Sequence, residues 1–265
     1  MWMRGRRLLV LGALVLATGM GSTASAVEPL PFLRGSPLAG PTQLRLIVAG
    51  TPPFVYDVDS GRVVRYPLAT NPALSADVMP YGPGALLTID PRRGANSSAF
   101  LSANGSHRPA TVAEARAARV ASLRFAVARN GDAHLAFVDR RTWKRRVLSW
   151  NSILGYLDGA VVQRHGPYVA IGFADPAYPG PQQAEDVFLL NRRTGEVTHV
   201  PGFPAQIELK RSSMAWTADG RLVLLLRDAR GTRIGVYRPG ARTVSLRRIA
   251  LPAPSGGSDR FVPIA

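Results

Sequence analysis

Apolar residues fall in short runs along this chain, each bounded by Gly, Asp, Asn or Pro, which is the pattern of β-strands joined by turns. The clearest succession is Ser213 to Thr217, the turn Ala218-Asp219-Gly220, Leu222 to Arg227, Thr232 to Tyr237 and Thr243 to Ile249. A second runs from Ala160-Val161-Val162 through Tyr168 to Phe173, Asp186 to Asn191 and Glu196 to Val200. Asp-Gly and Thr-Gly supply the positive backbone angles of tight hairpins, so these joints are short. Between Ser122 and Trp150 the pattern leaves room for three strands. Helical periodicity is confined to Ala113–Val120, which predicts a helical turn within a connection.

The succession repeats at intervals of about 45 residues, the sign of an architecture built from copies of one unit. Phe54 to Val63 aligns with Phe188 to Val197, placing Asp57 on Asn191, Ser60 on Thr194 and Gly61 on Gly195. Weaker copies lie at Phe100 to Ser106, Phe137 to Trp143 and Gly235 to Gly240. Four-stranded meanders at this spacing predict an all-β fold, a β-propeller of five blades, or of six if the residues before Gln43 contribute strands. The first unit lacks an innermost strand before Leu44. Arg260 to Ala265 is expected to supply it and so close the ring, which would remove an exposed edge.

Hairpins such as Ala218-Asp219-Gly220-Arg221-Leu222 and the Asp/Asn-x-x-Ser/Thr-Gly turns resemble those of bacterial exported β-propellers of the TolB-like and WD-repeat kind. The resemblance covers Gln43 to the C-terminus. It implies a binding scaffold before it implies an enzyme.

Met1 to Ala26 reads as an export signal, with Arg4, Arg6 and Arg7 ahead of an apolar core from Leu8 to Met20 and a small-residue cleavage site at Ala24-Ser25-Ala26. That core falls short of the roughly 20 residues a membrane span needs. Arg6-Arg7 partly resembles a twin-arginine signal, and the choice of export route stays open. Cleavage before Val27 would leave a secreted chain. Residues 27–42 read as an extended Pro/Gly-rich lead-in, and 43–265 as the propeller domain. The chain has no cysteine, which excludes disulfides, thiolate nucleophiles and cysteine-held metals.

Lys and Arg number 33 against 17 Asp and Glu, a formal net charge of +16, and Lys144 and Lys210 are the only lysines. A basic exported protein attracts anionic polymers, so an envelope polymer or a partner protein is the expected target. The arginines are dispersed and no recognition motif accompanies them, so nucleic acid is not expected. Neither is a stable membrane span, and the protein is expected to be a monomer.

Turn lengths segregate to two faces. Tyr81 to Gly84, Asp57 to Gly61, Arg192 to Gly195, Asp219-Gly220 and Arg238 to Ala241 are tight, while the opposite connections are long. Binding groups gather on long loops carried by a rigid scaffold, which points to the long-loop face around the channel mouth. There, Trp150, Tyr156, Tyr178 and Phe203 offer flat apolar contacts, and Arg92, Arg93, Lys210 and Arg211 offer cations for an anionic ligand.

No catalytic motif, cofactor site or metal cluster is legible: His107, His134, His165 and His199 have no paired spacing. Asp57-Val58-Asp59-Ser60-Gly61 looks like part of a calcium loop, but its counterpart at Asn191 to Gly195 favours a turn. The enzymatic alternative is a glycoside hydrolase resembling the five-bladed arabinanases, with Asp77 and Glu208 as channel-mouth carboxylates.

Overall fold

The computed structural model describes residues 30–68, 77–88, 98–123, 125–129, 134–139, 144–149, 154, 156–175, 184–207, 213–228, 231–252 and 260–265. The proposed signal lies outside them. In chain order, β1 (Ser36–Pro37) precedes β2 (Arg45–Val48), β3 (Phe54–Asp57) and β4 (Val63–Arg65). Then come β5 (Asp77–Tyr81), β6 (Gly84–Thr88), β7 (Ser98–Ser102), β8 (His107–Pro109) and α1 (Val112–Leu123). The middle of the chain holds β9 (Phe125–Arg129), β10 (His134–Asp139), β11 (Lys144–Ser149), β12 (Tyr156–Val162), β13 (Tyr168–Asp175), β14 (Ala184–Asn191), β15 (Val197–His199) and β16 (Ala205–Gln206). The chain finishes with β17 (Met214–Trp216), β18 (Leu222–Asp228), β19 (Gly231–Tyr237), β20 (Ser245–Arg248) and β21 (Phe261–Ile264).

Among the described residues these strands form sheets in the orders β21-β2-β3-β4, β5-β6-β7-β8, β11-β10-β9, β12-β13-β14-β15 and β1-β20-β19-β18-β17, with β16 added to β14. The arrangement is all-β and propeller-like. The expected five four-stranded blades, or six, are corrected to four: four sheets reach four strands or more, and the third holds three. The lead-in adds β1 to the edge of an existing sheet and makes no blade of its own. The tail does pair where expected, β21 running antiparallel to β2 with Val262 opposite Ile47.

Sheets stacked on both sides bury both faces, so their strands read as unbroken apolar runs instead of alternating ones. In β18, Leu222, Leu224 and Leu226 enter a core shared with Ala170, Val187 and Leu189 of the preceding sheet. Val223 and Leu225 point the other way, against Leu46, Val48, Phe54 and Tyr56. The opposite face of β2 buries Ile47 against Val78, Ala85 and Leu87. Each such side chain contributes about 1.5–3 kcal/mol when fully buried.

The repeated turn is the same object twice. Asp57 Oδ1 accepts the Asp59 and Ser60 N–H groups at 3.1 and 2.9 Å, and the Gly61 N–H donates to Asp57 O at 2.9 Å. Asn191 Oδ1 accepts Arg193 N–H at 3.0 Å and Thr194 N–H at 3.4 Å, and Gly195 N–H donates to Asn191 O at 2.8 Å. Gly61 and Gly195 take φ of 71° and 82°, the left-handed region. A carboxylate and an amide oxygen serve this purpose equally, which explains why Asp and Asn interchange.

The lead-in is docked. β1 pairs in parallel with β20, Leu33 is 3% exposed within the core, and Phe32 bridges Gln206. Gly35 lies so close to β20 that an added Cβ would stand 2.1 Å from Val244 O. Arg247 then ties the segment down: its guanidinium donates to Leu38 O at 3.0 Å, to Gly40 O, and to Asp59 Oδ1 at 2.7 Å.

The helix exceeds the expected Ala113–Val120 at both ends. Its start is a capping box, in which Glu114 N–H donates to Thr111 Oγ1 at 3.2 Å while Glu114 Oε2 accepts the Thr111 N–H at 2.8 Å. Arg108 pairs with Glu114 at 2.6 Å and, with the Thr111 bonds, holds its carboxyl down to about 2.

Candidate functional site

Strands β5, β12 and β17 each lead into a tight turn, and β21 ends beside the start of β2, so four inner strands bring their ends to one face. β21 touches β5 and β17, and β12 touches β17 and β9, placing these strands side by side around an axis. Between them lies a cavity of about 450 Å³, a size typical of small-ligand sites. It opens among the tight turns, opposite to the face favoured by loop length.

Two innermost strands carry proline. Pro263 faces Leu46 and Pro80 faces Ala85. Ala49 N–H donates to Arg260 O, so the hydrogen-bonded pairs of β21 and β2 alternate such that position 263 would aim its N–H away from β2, toward the axis. The two-residue hairpin after Tyr81 gives Pro80 the same orientation. Proline is tolerated where no ladder partner waits.

The cavity wall mixes apolar Met214, Trp216, Phe261 and Ile264 with polar groups, and its described titratable side chains are Arg164, His165 and Arg260. No Asp or Glu lines it among the described residues. Trp216 is held in place by its Nε1–H, which donates to Val161 O at 2.9 Å, and by Tyr168 stacked at 6.4 Å. Arg164 and His165 are exposed, on the turn between β12 and β13. Gln163 fixes the base of that turn by accepting Tyr168 N–H at 3.2 Å through its side chain.

Asp219, on the adjacent turn, is already engaged: Arg221 Nε stands 2.8 Å from Oδ2, and the Thr217 hydroxyl donates to Oδ1. Burial opposes its charge, but these partners outweigh burial and hold the carboxyl below its usual range. The same end of the molecule exposes Arg62, Arg193 and Arg242. The same turns carry Asp57, Asp59 and Glu196, so the charge of the mouth itself comes from Arg164 and Arg260 of its lining.

Of the residues singled out from sequence, Arg92, Arg93, Trp150, Tyr178, Glu208, Lys210 and Arg211 lie outside the described residues. Asp77 opens β5 and Tyr156 opens β12, with their side chains likewise outside. Phe203 is 6% exposed and packs in the core with Leu33, Val187 and Ala205, so its ring anchors its own segment to the sheet. Arg164 and His165 sit in a short turn, where loop length gives no signal of a binding group, and His165 has no paired histidine spacing to mark it.

No family model matches the chain. No curated protein matches it. Among solved structures it is similar to a gluconolactonase-like protein, at 15% identity and a TM-score of 0.29, over 66% of this chain. The chain spans 63% of that protein, less than two thirds of its length. It is also similar to a chain of the mitotic checkpoint complex, at 10% identity and a TM-score of 0.32, over 95% of this chain and 91% of that one.

Proposed function

We propose that this chain is an exported, monomeric binding module of the TolB-like propeller kind, a ring fastened by its own tail, which docks an anionic envelope component or an acidic partner protein. The observation that carries this reading is the set of exposed arginines on the tight-turn end of the molecule, Arg62, Arg164, Arg193 and Arg242, of which Arg164 stands at an opening lined by no described Asp or Glu side chain. A signal-like Met1 to Ala26 and the charge of +16 support the extracytoplasmic setting. Cationic groups at the cavity favour holding an anion there; glycoside hydrolysis by Asp77 and Glu208 remains the enzymatic alternative at the other face.

Retention on isolated cell wall at rising salt tests the reading. The parent should bind and elute progressively as salt screens the contacts. Alanine at Arg62, Arg164, Arg193 and Arg242 together should weaken retention and leave the remainder less sensitive to salt. Retention equal to the parent at every salt concentration would remove those four from the docking surface. A parent that is not retained at low salt would end the envelope reading.

A further inference from the structure

We infer that the tight-turn mouth of the channel is a site for a small organic anion, a carboxylate carried on a flat apolar body. The inference rests on the binding-module reading and adds a ligand class to it. The cavity walls supply the body's contacts: Trp216 and Phe261 are 7% and 4% exposed, and the Trp216 ring is fixed by its bond to Val161 O and by Tyr168. A fixed aromatic wall costs little side-chain entropy on binding. The charge comes from Arg164 and His165 at the rim and Arg260 further along the wall. An arginine fork matches the two oxygens of a carboxylate, and the bond is charge-assisted. Asp219 on the adjacent turn is paired with Arg221 and Thr217, which offsets its charge. Pro80 and Pro263 take two backbone donors out of the wall, and the cationic side chains Arg164 and His165 stand on a turn at its end, so the anion belongs at the rim.

The test uses the full mature chain and 2-naphthoate as the probe, with heat of binding measured by calorimetry. Uncharged 2-naphthamide and acetate are the separate halves of the probe. The expected result is saturable 1:1 binding of naphthoate, with each half bound at least ~10-fold more weakly, since a charge-assisted bond contributes more than ~1.4 kcal/mol. Arg164→Gln with His165→Gln should lower naphthoate affinity ~10-fold with an unchanged unfolding midpoint, both side chains being exposed. If that double variant folds poorly, Ala160→Phe gives a second readout: Ala160 is exposed and lines the cavity, and the larger ring should occupy it and abolish binding. Naphthamide binding as tightly as naphthoate, no heat from naphthoate, or full affinity in either folded variant would overturn the site. Wall retention is measured in parallel. Naphthoate failure with retention intact sinks only the channel site, and the converse sinks only the envelope reading.

Discussion

Asp59 shows how much one carboxylate can organise. It accepts N–H bonds from Thr42 at 2.8 Å and Gln43 at 2.7 Å, a hydroxyl bond from Thr42 at 2.9 Å, and the Arg247 guanidinium. Burial raises its pKa, the bonds lower it further, and the balance holds it at about 2 against an ordinary 3.8. A depressed carboxyl stabilises the fold above its unfolded value, and that contribution is lost as pH falls through the folded one. Asp59→Asn should therefore flatten the fall in stability between about pH 4 and pH 2, and cost about 1–2 kcal/mol at neutral pH, discounted because the side chain is partly exposed. Urea midpoints from pH 2 to 7 measure this; a parent-like slope in the variant would remove Asp59 from the account. The sequence set Asp59 beside a calcium-like pattern, and only the fold shows that its partners come from Thr42, Gln43 and Arg247.

Strands that sit between two neighbours were legible because their runs are continuous and their turns carry glycine. Leu222 to Arg227 was expected and β18 spans Leu222–Asp228; Tyr168 to Phe173 was expected and β13 continues to Asp175. The lead-in was not legible as an element. It makes a parallel pairing of two residues, with Leu33 as an isolated apolar anchor, and neither feature has a period to detect. Gly35 gives the test at this scale. Its substitution by alanine drives a methyl against Val244 O and should lower stability by about 1–3 kcal/mol through overpacking. Limited proteolysis should then cut within 30–43 faster than in the parent. An unchanged cutting rate and urea midpoint would mean that the segment merely rests on the sheet.

At the scale of the molecule, the tail was the long-range pairing visible from sequence, because a first meander short of one strand needs a partner and Phe261-Val262 is the apolar run left over. Removing 260–265 would bare the edge of β2 and uncover Ile47 and Val48, both fully buried. The truncated chain should run larger than the parent in light scattering at rising concentration; a species of parental size and stability would show the tail to be dispensable. The cavity, by contrast, is assembled from four strands far apart in sequence, each contributing two or three residues. No local pattern announces such convergence, so turn length directed attention to the other face.

The two prolines of the inner wall have a wider bearing. An extended polypeptide entering the bore would seek main-chain donors to zip onto, and at those two positions it meets pyrrolidine rings. Such a guest would find fewer places to pair by its backbone on these two strands, so side-chain chemistry carries more of the discrimination there.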